Sequence, residues 1–190
     1  MQDTNKQLDR ITYAKQYANF IRSNDIKNYF ELDLDSLMSL DKVEGLRKLI
    51  EDITGIASIP VWHKSRGLDY WFKMCEDYKY IAIGGIATKE IKRTDYRIFN
   101  SLLKKKKKKN VKVHGLGFTD SEEIKKYNFY SVDSSNCITG SRYGNVYKFD
   151  GTNIFYYSNY NKTKKVNSKI ADQNNLIQWV KFSKFMERHF

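Results

Sequence analysis

Apolar positions recur along this chain with two alternating periods. From Leu8 to Ser23, the residues Leu8, Ile11, Ala14, Ala18 and Ile21 return at helical spacing, so the chain opens on an amphipathic helix that Asn24 and Asp25 end. The stretch NYFELDLDS then predicts a strand from Asn28 to about Leu34. It carries Asp33 and Asp35 two apart, hence on one side of an extended backbone. Asp41 and Glu44 form a possible capping box for a helix whose stripe is Val43, Leu46, Leu49, Ile50 and Ile53, and Gly55 stops it.

The alternation continues. Ser58 to Trp62 reads as a short strand with His63, Lys64, Ser65 and Arg66 at its carboxyl end, followed by a helix presenting Leu68, Trp71, Phe72, Cys75 and Tyr78 on one face. Tyr80 to Ile83 is a buried strand that ends in the pair Gly84-Gly85, and a basic turn with Lys89, Lys92 and Arg93 follows. Tyr96 to Leu103 looks helical and runs into Lys104 to Lys109. Lysines at a helix C-terminus are a favourable solvated end, with nucleic-acid contact the other reading. Val111 to Gly115 is the next strand, Thr119 with Glu122 a second capping box for a short helix to Tyr127, and Phe129 to Val132 a strand delivering Asp133.

Strands near residues 28, 58, 80, 111 and 129, separated by helices, imply a parallel sheet with right-handed crossovers and an α/β class. Beyond Gly144 the pattern changes to two aromatic-rich strands around Asp150-Gly151, a hairpin, then a loop from Asn159 to Asn175 and a last helix from Leu176 to Phe190. With one proline and no Gly/Ser linker, the 190 residues read as a single domain, irregular from about residue 145 onward.

Composition narrows the function classes. No apolar run is long enough for a membrane span, and the start MQDTNKQLDR lacks a signal peptide's apolar segment, so a cytoplasmic, non-membrane protein is expected. Cys75 and Cys137 are the only cysteines, which argues against a disulfide framework and leaves no Cys-x-x-Cys knuckle for zinc. The net charge of +12 suits a polyanionic partner, nucleic acid above all. The chain is also crowded with Asn, Ile, Tyr and Phe, a bias that AT-rich coding produces, so charge alone leaves the partner open.

Asp33 and Asp35, His63, Gly84-Gly85, His114 and Gly115, and Asp133 all fall at or just after the carboxyl end of a predicted strand. In an α/β sheet or barrel those positions share one mouth. Paired glycines there let another molecule approach the backbone closely. Taken singly, an Asp in such a place also serves as an N-cap, a Gly closes a turn, and a His packs structurally. Neither His63 nor His114 has a partner at metal-ligand spacing, and no metal or other cofactor is expected.

Four of these segments carry a resemblance. IAIGGIATKE resembles the AIGGLAVGE segment of the tRNA-guanine transglycosylases, and VKVHGLGFTD, FYSVDSSNC and FELDLDS are similar to three further segments of that family, in the same order. The likeness spans Phe30 to Arg142 and is nearest to the short, zinc-free phage relatives related to enzymes that place 7-deazaguanines in DNA. It implies a TIM-barrel-like fold and exchange of guanine for a 7-deazaguanine in DNA or tRNA, within the host cytoplasm for a phage protein. It also implies Asp133 as the nucleophile that attacks C1′, and Asp33, with Asp35 as the fallback, as the carboxylate that reads the base. The backbone at Gly84, Gly85 and Ile86, with His114 and Gly115, would line the base pocket. His63 stands where the family has a base-contacting Gln. Lys64, Arg66, Lys89, Arg93 and Arg142 are the basic residues placed to meet nucleic acid.

The chain also departs from the family. The zinc motif is absent, the Pro-Thr-Arg after the nucleophile gives way to a loop reaching Gly140-Ser141-Arg142, and no Asp-Ser-Gly-Gly-Phe strand with the second catalytic aspartate precedes the first helix. The barrel is therefore expected to be incomplete, closed by a homodimer partner or a complementing N-terminal fragment. Two other readings stand beside the enzyme: a degenerate barrel that binds guanine-like bases or nucleic acid without turnover, and an unrelated small barrel or structural protein.

Overall fold

The structure, a computed structural model, describes residues 2–104, 110–118, 120–158 and 167–189. Helices and a parallel sheet give a mixed α/β architecture. The chain forms two compact units, Met1–Gly115 and Leu116–Phe190, although no linker composition marks the junction.

The first unit begins with α1 (Gln2–Ser23) and α2 (Leu40–Thr54). The predicted stripe of α1 is the one buried: Ala14, Ala18 and Ile21 pack with Tyr29, Leu46 and Ile50, the two alanines letting the helix backbones approach. Tyr29 is fixed at its far end, where its hydroxyl bonds Thr54 Oγ1 at 2.8 Å and donates to the Ile56 carbonyl at 2.6 Å. The expected capping box does not form. Ser39 is the N-cap without a side-chain bond, and Glu44 instead receives the Tyr70 hydroxyl at 2.8 Å. Gly55 ends α2 in the left-handed conformation, φ 70°, as its sequence position implies.

Strand β1 (Val61–Trp62) leads through a tight turn into α3 (Gly67–Asp77), then β2 (Tyr80–Ile83), α4 (Arg97–Lys104) and β3 (Lys112–Gly115). The strands lie in the order β1-β2-β3, all parallel, with Val61 opposite Ala82 and Ile81 opposite Val113. Ile81, Ala82 and Ile83 are fully buried, the continuous apolar run expected of a strand covered on both faces. Trp62 and Trp71 meet edge to face at 5.8 Å between β1 and α3. Of the six consecutive lysines, only Lys104 lies among the described residues, as the exposed end of α4.

The strand expected over residues 28–34 is reduced to one parallel bridge, Phe30 with Ile59. The ladder starts normally, Ile59 N–H donating to Tyr29 and Glu31 N–H to Ile59. Its next donor, the Val61 N–H, goes to the Glu31 carboxylate at 2.7 Å. A side chain thus takes over where backbone pairing would have continued.

In the second unit the short helix expected to run to Tyr127 is a single 3₁₀ turn, Ile124–Lys126, with Tyr127 as its C-cap. Thr119 of the proposed capping box lies outside the described residues, and the Asp120 side chain accepts the N–H groups of Glu122 and Glu123 at 3.1 Å each. Then come β4 (Ser131–Val132), α5 (Asn136–Thr139), the predicted hairpin β5 (Asn145–Phe149) and β6 (Ile154–Ser158), and α6 (Ser168–His189).

Helix α6 starts at Ser168, well before the expected Leu176, because the amides of that segment have work at the edge of β5. Asn175, fully buried, accepts the Tyr147 N–H at 2.8 Å and donates to the Asn145 carbonyl at 2.9 Å. Asn174 donates to the Tyr147 carbonyl and Gln178 accepts the Phe149 N–H, each at 2.9 Å. These side chains satisfy backbone groups that a neighbouring strand would otherwise have to meet. Tyr147, Ile154 and Phe182 form the small core beneath them.

Candidate functional site

Glu31, Asp33 and Asp35 lie two apart, Asp35 at the start of the turn over residues 35–37, and all three carboxylates meet residues at or just past β1. Glu31 is the anchor. Its fully buried carboxylate receives Arg47 at 3.0 Å and Arg66 at 3.1 Å, besides the Val61 N–H. Burial pushes its pKa up, and the two guanidiniums oppose that rise. Arg66 then forks Asp35, Nε to Oδ1 at 2.8 Å and Nη2 to Oδ2 at 2.5 Å, with its guanidinium 5.3 Å from the centre of the Tyr70 ring.

His63 sits between the remaining carboxylates. Its Nε2 is 2.9 Å from Asp33 Oδ1 and its Nδ1 is 3.0 Å from Glu90 Oε2. Burial works against a charged imidazole, but the hydrogen bonds to Asp33 and Glu90 outweigh it and raise the pKa to about 9. The ring is therefore an imidazolium at neutral pH, donating from both nitrogens. The same hydrogen bond from His63 holds the Asp33 carboxyl below its usual range, against partial burial. Asp33 keeps 44% of its side chain exposed, an ionised acceptor fixed at the surface of an otherwise enclosed network.

The glycine pair takes its meaning from this ring. A Cβ on Gly84 would lie 2.8 Å from His63 Cε1 and 2.7 Å from Val61 Cγ1, and one on Gly85 would lie 2.7 Å from Glu90 Oε2. Gly85 also has φ 79°. Close approach to the diglycine does occur, and the approaching groups belong to the chain itself. Glu90 further accepts the Ser65 N–H at 3.0 Å, tying the loop after β2 to the turn after β1.

Asp33, Asp35 and His63 each offer a ligand atom within 4.8 Å of the others, a spacing that suits a divalent cation. Both Asp35 oxygens are engaged by Arg66 and both His63 nitrogens face carboxylates. The donor set thus fits a cluster gathered by a proton and a guanidinium better than a metal centre.

The first unit thus brings together Asp33, Asp35, His63, Gly84 and Gly85. Ile86 follows the pair and is buried, Gly115 ends β3, and His114 packs its ring 5.1 Å from Phe30. Among the basic residues, Lys64 pairs with Asp95 at 3.5 Å at the surface, and Lys89 and Arg93 are exposed. Arg66 requires a correction: its side chain is only 2% exposed and fully committed to Asp35 and Glu31, so it is a structural cation and not a phosphate contact. Asp133 and Arg142 belong to the second unit, where both are exposed. The Asp133 carboxylate accepts the Gly117 N–H and borders a cavity of about 780 Å³ lined by Phe129, Trp179, Phe182 and Met186 among others.

Sequence reasoning missed Glu31, Arg47 and Glu90. Glu31 was detectable, since the two-residue spacing of Asp33 and Asp35 extends back to it, whereas nothing local marks Arg47 on α2 or Glu90 in its loop as partners of this segment. Comparison of the chain with family models, with curated proteins and with solved structures finds no match. No helix among the described residues is long and apolar enough to cross a membrane.

Proposed function

We propose that the protein exchanges guanine for a 7-deazaguanine in DNA or tRNA, on a TIM-barrel-type scaffold. The observation that carries the reading is the state of Asp33: an ionised, partly exposed carboxylate beside an imidazolium, at the carboxyl ends of parallel strands. Such a group accepts the ring N–H and exocyclic amine of a guanine edge, two donors that a carboxylate can meet together. In the proposed reaction a carboxylate, the role the transglycosylase resemblance gives to Asp133, attacks C1′ as the bond to the guanine nitrogen breaks with its electron pair, giving a covalent glycosyl ester and a free guanine that takes up a proton from water. A nitrogen of the incoming 7-deazaguanine then forms the new bond to C1′ while its N–H proton passes to water, the ester bond breaks, and the carboxylate is released. The base must leave its stack first, and the positive charge of the chain favours docking of the polyanion.

The test is incorporation of labelled guanine into tRNA and into double-stranded DNA, with a denaturant-stable protein–nucleic acid adduct that Asp133→Asn abolishes. Absence of both exchange and adduct on either substrate overturns the enzymatic reading. One observation favours a binding-only protein: the His63 ring already fills the space over Gly84. That second reading expects guanine binding, weakened by Asp33→Asn, with no adduct.

A further inference from the structure

The β5–β6 hairpin has an inner and an outer face. Tyr147, Phe149 and Ile154 turn inward, where Phe149 meets Phe182 and Phe185 of α6 at 6.0 and 5.7 Å between ring centres. The pairing register sets the opposite face: Val146 lies across from Tyr157, and Lys148 across from Phe155. On it Phe155 is 46% exposed and Tyr157 is 61% exposed. Neither is needed for the small core, and apolar rings in water on the face of a sheet call for a partner.

We propose that this outer face is a stacking platform for single-stranded nucleic acid, with Phe155 and Tyr157 each receiving a base and Lys148 meeting a phosphate. Three features select that occupant. Residues two apart on a strand stand about 6.7 Å apart, roughly twice the base-step rise of a duplex strand, so successive bases reach both rings only when the strand is opened out. Every base has a face to stack, which suits two rings carrying no base-reading side chain between them. The charge is complementary: Lys148 is the charged side chain on this face among the described residues, and residues 116–190 carry eleven Lys and Arg against seven Asp and Glu. The one acidic side chain of the hairpin, Asp150, is turned to the Thr152 and Asn153 N–H groups at the tip.

The inference stands apart from guanine exchange, because the probe contains no guanine. Fluorescence anisotropy of labelled twelve-nucleotide oligo(dT) and oligo(rU) is measured on the full chain at low and moderate salt. Binding that falls with salt is expected, weakened roughly tenfold by each of Phe155→Leu and Tyr157→Leu, since leucine keeps the apolar bulk and removes the ring. The variants Phe155→Tyr and Tyr157→Phe keep the ring and retain affinity, which separates loss of stacking from loss of folding. Lys148→Ala lowers the salt dependence by about one ion. Unequal affinity for the two oligonucleotides assigns the face to DNA or to RNA. Equal binding by the wild type and the two leucine variants overturns the proposal. So does a dimer, seen by light scattering and broken by the leucine variants, in a protein that binds neither oligonucleotide.

Discussion

The His63 ring joins two carboxylates distant in sequence, with Asp33 on Nε2 at 2.9 Å and Glu90 on Nδ1 at 3.0 Å. Its pKa in the folded chain is about 9, above the ordinary histidine value of 6.5. A group whose pKa rises on folding stabilises the fold fully below its unfolded value, and the gain fades as pH climbs through the folded one. Stability is therefore expected to fall by on the order of 3 kcal/mol between about pH 6.5 and pH 9.5. Urea unfolding across that range measures it. His63→Gln should flatten the profile, and a wild-type profile already flat would show that the ring is neutral.

Gly84 has no room for a side chain. In Gly84→Ala the new methyl meets Val61 and His63 at distances that real Cβ atoms do not adopt, so His63 must leave its place between the carboxylates. The expected loss is about 2 kcal/mol, the usual range for overpacking. An NMR titration of His63 in the variant should show a midpoint moved back toward the ordinary value, provided the ring is displaced as the geometry requires.

Glu31 carries the charge between Arg47 and Arg66. Glu31→Gln keeps an acceptor for the Val61 N–H but removes the buried charge that two nearly enclosed guanidiniums share, leaving Asp35 to Arg66 and the more exposed Glu44 to Arg47. A cost of about 3 kcal/mol is expected. Glu31→Gln combined with Arg47→Met should recover part of it, and chemical denaturation of the single and double variants decides whether the triad is coupled.

Asn175 holds the edge of β5 with both ends of its amide. Asn175→Leu leaves the Tyr147 N–H buried without its partner and takes the donor from the half-buried Asn145 carbonyl, for an expected loss of about 2 kcal/mol. Hydrogen exchange should localise the change: the amide of Tyr147 loses protection, while those of β2 keep theirs.

Much of this was legible in the sequence. Helical periodicity located the buried stripe of α1, the apolar run YIAI located β2, and the spacing of Asp33 and Asp35 put them on one side, where Asp33 meets His63 and Asp35 meets Arg66. What was hidden lay in polar side chains acting as backbone. Glu31 cut a strand to a single bridge by taking the Val61 N–H, and Asn174 and Asn175, expected in a loop, are helical with their amides on β5. Periodicity follows apolar burial, so it says nothing of a helix whose contact face is made of amides. The diglycine was correctly placed at a strand end, but the identity of its visitor depended on His63 and Glu90 arriving from separate turns.

The amide contacts along β5 also obey a length rule. From Asn175 to Gln178 a helix advances about 4.5 Å, while the strand positions they serve, Tyr147 and Phe149, lie about 6.7 Å apart. The two scales diverge by roughly 2 Å in a single step, and the extra methylene of glutamine over asparagine supplies reach in the lengthening direction. A further step would need a side chain longer than any neutral amide offers. A helix can therefore stand in for a strand over one turn only, which matches this helix to a short hairpin and caps how far β5 could grow.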